Sequence, residues 1–354
     1  MSVQASIATP GIYLGVNTNT SRAGLPANLH QVLFITADTK VMNQPVAIYD
    51  KADADDKIAA DSAVSKMITA AVKTNRLIDA YAITKATELD DTLDIIAPLG
   101  HTILALDAAP VGDDTEALID HLEFVSGAIE KKPAILVVPF TDIEAATTFA
   151  AQAAVETSYR VVAACYHGAT GQDAQIAGAM AAALADSNDP ALPFNGVTLE
   201  GVAAVDDQYK LTFERQERAL KAGVCVIATG VDGKPEIVRA VSTYRKNKDT
   251  GESDTLMLDI NAALTIDYTR KVIRQELSKQ PRRKNTAAQR RHVRSVILAQ
   301  LVKLDDAEIL KNVKERADEL TVTADPIDDY RANASIPTDW VRGMHVIAGT
   351  LNVY

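Results

Sequence analysis

Three apolar runs decide the fold class: ILAL at Ile103–Leu106, AILVV at 134–138 and RVVAAC at 160–165. Each is followed by a stretch with helical spacing, over 115–129, 143–157 and 173–185. Short strands separated by helical runs of about 10–15 residues argue for a parallel, helix-covered sheet. The stretch 79–194 therefore reads as a flavodoxin-like or Rossmann-like α/β subdomain.

Upstream, HQVLFIT at 30–36 reads as a buried strand and 46–49 as another. An acidic run, 52–73, carries Ile58, Val64, Met67, Ile68 and Val72 near helical spacing. Downstream, the residues predict a strand at 196–202, a short helix at 214–222, and strands at 224–228 and 236–242. The last two are joined by a turn through Gly230 and Asp232-Gly233, a hairpin signal between β-formers. A polar loop at 244–253 leads to a long helix from Leu258, broken at Pro281. A helix over 286–304 buries Val293, Val296, Ile297, Leu301 and Leu304, and another short one is expected over 306–320.

The two ends share a pattern. Val3, Ala5, Ile7, Ile12, Leu14 and Val16 fall at roughly alternate positions, broken by Pro10-Gly11. That run suits either an ordinary first strand or an arm that pairs with another chain's sheet edge. At the other end Val341, Met344, Val346, Leu351 and Val353 mark a closing strand with no polar cap, tied into its own sheet or a neighbour's.

A chain of 354 residues exceeds what one core usually serves, so two or three subdomains are expected. The net charge of −11 argues against a general nucleic-acid binder, and an aromatic share of 5% leaves few stacking platforms. Cys165 and Cys225 sit in apolar runs and read as small buried hydrophobes, and zinc is not expected. No run approaches the ~20 apolar residues of a membrane span, and the first residues lack the order of a secretory signal, so folding in a reducing cytoplasm is expected. Asp53, Asp55, Asp56 and Asp61 lack the glycine and terminal glutamate of a calcium loop and read as a solvated face. Gly168-Ala169-Thr170-Gly171 follows a strand and precedes a helix, where α/β folds bind phosphate, but it lacks dinucleotide and P-loop spacing. The sequence Cys165-Tyr166-His167 offers no partnered nucleophile. No catalytic, cofactor or metal residue is assigned. Between Tyr268 and Arg294 ten Lys or Arg face Glu276 alone, a local excess that suits an acidic protein surface better than nucleic acid.

The ordered set GVTLEGV, KAGVCVI, IVRAVSTYRKN, LDI and DYTR between Asn195 and Arg270 resembles contractile-tail sheath proteins of bacteriophages, most closely their Mu-like branch. The resemblance covers the second half of the chain, and the first half by general layout. It implies an α/β fold class: an α+β core (26–78 and 195–337) with an inserted parallel α/β subdomain (79–194), and extended β arms at 1–25 and 338–354. It implies a structural subunit, not an enzyme, with no cofactor. Copies would stack as hexameric rings around a tail tube and contract irreversibly to drive the tube through a host envelope. The partners it implies are other copies, the tube protein, and baseplate and tail terminator proteins, with no nucleic acid and no membrane insertion. The location would be the phage tail of the virion, assembled in the host cytoplasm.

The resemblance also favours the arm reading at both ends. The receiving sheet is expected at Val224, Val226, Ala228, Ile237, Arg239 and Val241. Tube-facing or ionic contacts are expected at Arg282, Arg283, Lys284, Arg290, Arg291, Arg294, Lys303, Lys311 and Lys314. The alternative is an α/β enzyme that binds a phosphorylated small molecule near Gly168 and Gly171.

Overall fold

The computed structural model describes residues 24–38, 40, 42–85 and 89–352. Its centre is one eight-stranded sheet. The strands are β1 (Gln31–Thr36), β2 (Val46–Ala47), β3 (Asp79–Thr84), β4 (Ile103–Leu106), β5 (Ile135–Phe140), β6 (Val161–Cys165), β7 (Val224–Thr229) and β8 (Pro235–Arg239). Their spatial order is β2-β3-β1-β4-β5-β6-β7-β8. The six from β3 to β7 are parallel, and β2 and β8 close the edges antiparallel. Strands β4, β5 and β6 are buried at every position, because helices cover both faces.

The helices are α1 (Lys51–Lys57), α2 (Ala63–Thr74), α3 (Leu89–Ile96), α4 (Asp114–Ser126), α5 (Ile143–Ala150), α6 (Asp173–Ala185), α7 (Phe213–Lys221), α8 (Ile260–Ser278) and α9 (Ala287–Asp306). Helix α6 is almost wholly buried, and its small residues let α2 approach its backbone. A Cβ at Gly178 would stand 2.1 Å from the Met67 carbonyl oxygen, so only glycine fits that crossing.

The parallel sheet and its helices agree with the sequence reading, but the sheet runs across both expected domain boundaries. Strand β1 pairs with β3 from Gln31↔Asp79 to Thr36↔Thr84, and β6 pairs with β7 from Ala163↔Val224 to Cys165↔Val226. Residues before 79 and after 195 thus supply strands to the same sheet as 79–194, as successive strand–helix–strand units do when each returns beside its predecessor.

Other elements differ locally. The helical run 52–73 is two helices: the chain turns at Asp61, whose φ is +54°, and the Ser62 hydroxyl caps α2 by accepting from Ser65 N. Residues 196–202 form turns around a single antiparallel bridge, Thr198↔Glu236, rather than a full strand. They lie along the outer edge of β8 through Gly196 N to Ile237 O (2.8 Å), Ile237 N to Val197 O (3.0 Å) and Leu199 N to Pro235 O (2.8 Å). No helix spans 306–320: Glu308 and Asn312 both have φ of 58°, which ends the helical path after α9. A hairpin that the sequence reading did not anticipate, β9 (Thr321–Ala324) with β10 (Ala332–Ser335), follows it.

Burial holds His30 and His121 each at about 4, well below the usual histidine value. An unfolded chain would bind those protons near 6.5. A histidine depressed in the fold contributes stability that is complete above the unfolded value and is lost as pH falls toward the folded one. The melting temperature should therefore drop between pH 6.5 and about 4, and His121→Gln should flatten that drop. A wild-type melting temperature that stays level across this range would contradict the assignment.

Candidate assembly surfaces

Helix α8 belongs to two cores. Its first turns, Ile260, Ala263 and Leu264, pack into the core around the sheet. Further along, Tyr268, Val272 and Ile273 pack into a second core with Ile297, Leu301 and Leu304 of α9, and with Ile309, Leu310, Val313 and Leu320. Where the cores meet, Arg160 at the start of β6 makes a two-pronged ion pair with Asp267, Nη1 to Oδ2 at 2.7 Å and Nη2 to Oδ1 at 3.0 Å. The Arg160 side chain is 4% exposed, donates also to Ala134 O, and lies 4.9 Å from the Tyr159 ring centre. Arg270 adds bonds to the Ser126 and Gly127 carbonyls. Body and C-terminal unit are thus joined by a continuous helix and a buried guanidinium.

The β9–β10 hairpin stands on the C-terminal unit and pairs from Thr321↔Ser335 to Ala324↔Ala332. Among the described residues neither strand has a backbone partner on its outer edge. Most of its side chains are exposed, with Val322 turned to the second core. Two strands alone are marginal in water, and open edges invite a further strand.

The second unpartnered feature is the C-terminal ribbon. It leaves the second core through Lys311 N to Asp339 O (2.8 Å) and Val341 N to Ile309 O (3.1 Å). It then runs over the body without joining a sheet. The His345 ring lies 3.1 Å from Asn195 Oδ1 and 3.4 Å from Asp259 Oδ1. Met344, Val346 and Leu351 are 75%, 80% and 95% exposed. Val353 and the N-terminal positions Val3, Ala5, Ile7, Ile12, Leu14 and Val16 lie outside the described residues.

The hairpin expected to receive an arm has no free edge. Val224, Val226 and Ala228 lie on β7, between β6 and β8, while Ile237 and Arg239 lie on β8, whose outer side is covered by residues 196–199. Val224, Val226, Ile237 and Val241 are buried, and Arg239 is committed to Asp259 at 2.8 and 2.9 Å. The open edges are those of β9 and β10 instead.

The basic residues divide by what they touch. Arg283 donates to Leu277 O at the end of α8, Arg290 to Asn285, and Arg294 to Leu320 O and Ala317 O, so these three hold the second unit together. Lys311 reaches Asp339 at 3.9 Å. Arg282, Lys284, Arg291, Lys303 and Lys314 have no carboxylate in ion-pair range among the described residues, and all but the half-buried Lys303 are exposed.

The places where chemistry was sought are closed. The Tyr209 side chain lies over Gly168, where a Cβ would come within 2.4 Å of it, so the enzyme alternative loses its phosphate loop. At the switch point between β1 and β4, where doubly wound sheets hold ligands, the Asp107 carboxylate accepts from Thr36 Oγ1 (2.8 Å) and Ala37 N (2.9 Å). Burial raises both cysteine thiols, Cys225 to about 12, which leaves them un-ionised. Asp53 and Asp55 pair with Lys57 and Lys51. Among the described residues no group of three or more His, Cys, Asp or Glu could hold a metal, and no helix is long and apolar enough to cross a membrane.

The comparisons with known proteins converge on this arrangement. Residues 252–354 match the phage tail sheath C-terminal domain. That stretch contains the last part of the structure: α8, α9, the open-edged hairpin and the ribbon. The contracted helical sheath of the anti-feeding prophage superposes with a TM-score of 0.65 at 18% identity, covering 98% of this chain and 99% of that one. A chain of the anti-feeding prophage baseplate gives 0.63 at 16%, covering 99% and 100%. The sheath tail protein of Desulfitobacterium hafniense gives 0.60 at 11%, covering 93% and 100%. No curated protein matches by sequence. The fold is that of contractile sheath proteins over its whole length.

The joint yields a direct test. Arg160→Met leaves the buried Asp267 carboxylate without its main partner and should cost about 3–5 kcal/mol in urea unfolding. Pairing it with Asp267→Leu should recover most of that loss. Equal destabilisation of single and double variants would show that the ion pair does not couple the two cores.

Proposed function

We propose that this protein is the structural subunit of a contractile tail sheath, of the phage type and in its Mu-like branch. The observation that carries the reading is the pairing of opposites within 252–354, the sheath-domain stretch. Among the described residues, a two-stranded sheet with both edges open sits in the same unit as an apolar ribbon with no sheet of its own. Strand addition satisfies both, because each backbone then gains the hydrogen bonds it lacks.

In this reading the ribbon after Trp340, with Val341, Met344, Val346, Leu351 and Val353, adds to β9–β10 of a neighbouring copy. The N-terminal residues Val3 to Val16 add along the other edge. Copies so linked form hexameric rings stacked helically around a tail tube, bounded by baseplate and terminator proteins, in a virion tail assembled in the host cytoplasm. The cations without a carboxylate partner among the described residues, Arg282, Lys284, Arg291, Lys303 and Lys314, face the tube or a neighbour. No nucleotide is consumed: the lattice is assembled metastable, and contraction forms further contacts between rigid bodies. The body, residues 27–264, serves as the outer part of the subunit, and 265–340 as its inner, lattice-forming part.

Negative-stain electron microscopy of the full chain, beside a version lacking residues 1–20 and 340–354, tests this. The full chain should give long striated tubes and the truncated one none. Tubes from both would keep the sheath and remove the arms. Monodisperse particles from the full chain, even with purified tube present, would contradict the sheath itself.

A further inference from the structure

Between the N-terminal ends of β1, β3, β4 and β5 and the middle of α8, from Leu264 to Arg274, lies a cleft of about 580 Å3. It is at the opposite end of the sheet from the usual ligand crevice. Its apolar lining includes Ile78, Leu264 and Leu77, the last 93% exposed. Lys131, Lys271 and Arg274 also line it, and among the described residues none has a carboxylate in ion-pair range. Lys271 donates to Ala27 O at 3.0 Å and Arg274 to Lys131 O at 3.3 Å, so among the described residues their hydrogen-bond partners are neutral carbonyls. Burial lowers the pKa of both, which means that each charged head is short of compensation. Three carboxylates share the lining. Asp267 is bound to Arg160 and Arg270, Asp79 accepts from Gln31 Nε2, and Asp186 stands at the rim. His30, held neutral by burial, adds no charge.

The turn between β9 and β10 has the opposite character. Ile327 and Tyr330 are 94% and 98% exposed, and between them Asp328 and Asp329 have no cation in ion-pair range among the described residues. The turn is held in one shape. The Asp325 carboxylate accepts from Ile327 N (2.9 Å), Asp328 N (3.0 Å) and Asn333 Nδ2 (2.8 Å), bonds that hold it at about 2. Asn285 Nδ2 donates to Asp329 O at 2.7 Å and to Arg331 O at 3.1 Å. A turn already ordered loses little freedom on docking.

We propose that the turn 325–331 of one copy seats in the β1–α8 cleft of another. Ile327 and Tyr330 then cover Leu77, Ile78 and Leu264, and Asp328 and Asp329 face Lys271 and Arg274. The turn is tied to Asn285, beyond the end of α8, while the cleft lies along the middle of that helix. The two halves of the contact are therefore different patches, and such a head-to-tail contact propagates into open assemblies. This contact is additional to strand addition, and it rests on the reading of the chain as a self-assembling sheath subunit.

The test uses charge reversal in the full chain. Asp328→Lys with Asp329→Lys, and Lys271→Glu with Arg274→Glu, should each reduce sedimentable polymer about tenfold, and the four changes combined should restore it. In parallel, the labelled full-length Lys271→Glu, Arg274→Glu chain, whose turn is intact, should bind the full-length Asp328→Lys, Asp329→Lys chain, whose cleft is intact, saturably and about tenfold more tightly than it binds itself. Lys271→Gln with Arg274→Gln serves if circular dichroism shows the reversed variant unfolded. Wild-type polymer levels in both reversed variants would overturn the contact while leaving the sheath reading intact. A wild-type chain that never polymerises would count against the sheath reading, and the pairing of the two reversed chains then decides the contact alone. Absence of saturable binding between them overturns it.

Discussion

Everything in this molecule hangs on one helix that is buried at both ends in different cores. An α-helix of nineteen residues is stiff over its roughly 30 Å. Because Ile260 to Leu264 are fixed under the sheet and Tyr268 to Ile273 under α9, the C-terminal unit cannot swing against the body without unpacking one of them. The Arg160–Asp267 pair guards the crossing. A buried guanidinium stripped of its carboxylate is costly, so the joint opposes any rearrangement that separates β6 from α8. A chain built this way moves as one body, and in the proposed assembly shape change is left to the connections between bodies.

Those connections have a clear physical signature. The edges of the body sheet are short or covered: β2 is only two residues long, and residues 196–199 cover β8 on the other side. Among the described residues the β9–β10 sheet has nothing along either edge, and the ribbon beyond Trp340 presents backbone and apolar side chains to solvent. Soluble proteins protect open edges because they recruit other strands. Here protection is concentrated on the body and withheld from the C-terminal unit, which is what the proposed assembly would need.

The parallel strands were legible because a strand covered on both faces must be a continuous apolar run, and ILAL and VVAAC are such runs. How the strands group was not, because strand runs say nothing about which neighbour they pair with; β1 and β3 look like separate units until their register is seen. The covered edge of β8 was missed because residues 196–199 bond irregularly through backbone atoms, and GVTLEGV carries apolar residues that suit a strand equally well. TVTA and ANAS of the hairpin are short and mostly exposed, so no core imprints a pattern on them. The basic cluster was visible as charge, yet Arg291 and Arg294 read alike in sequence. Only the helix face decides that Arg294 reaches Leu320 O while Arg291 meets solvent. Closure of the phosphate loop depends on Tyr209, which reaches Gly168 from a turn far along the chain and leaves no local signal.

The central claim is that the β9–β10 sheet is completed by other copies. Hydrogen–deuterium exchange of the polymer against dispersed subunits tests it most directly. Completion predicts that outward-facing amides of Thr321–Ala324 and Ala332–Ser335, and those of 342–352, exchange quickly in the dispersed chain and become protected in the polymer. The amides of β7 and β8 should be equally protected in both. Unchanged exchange along both edges of the hairpin in a formed polymer would contradict the account.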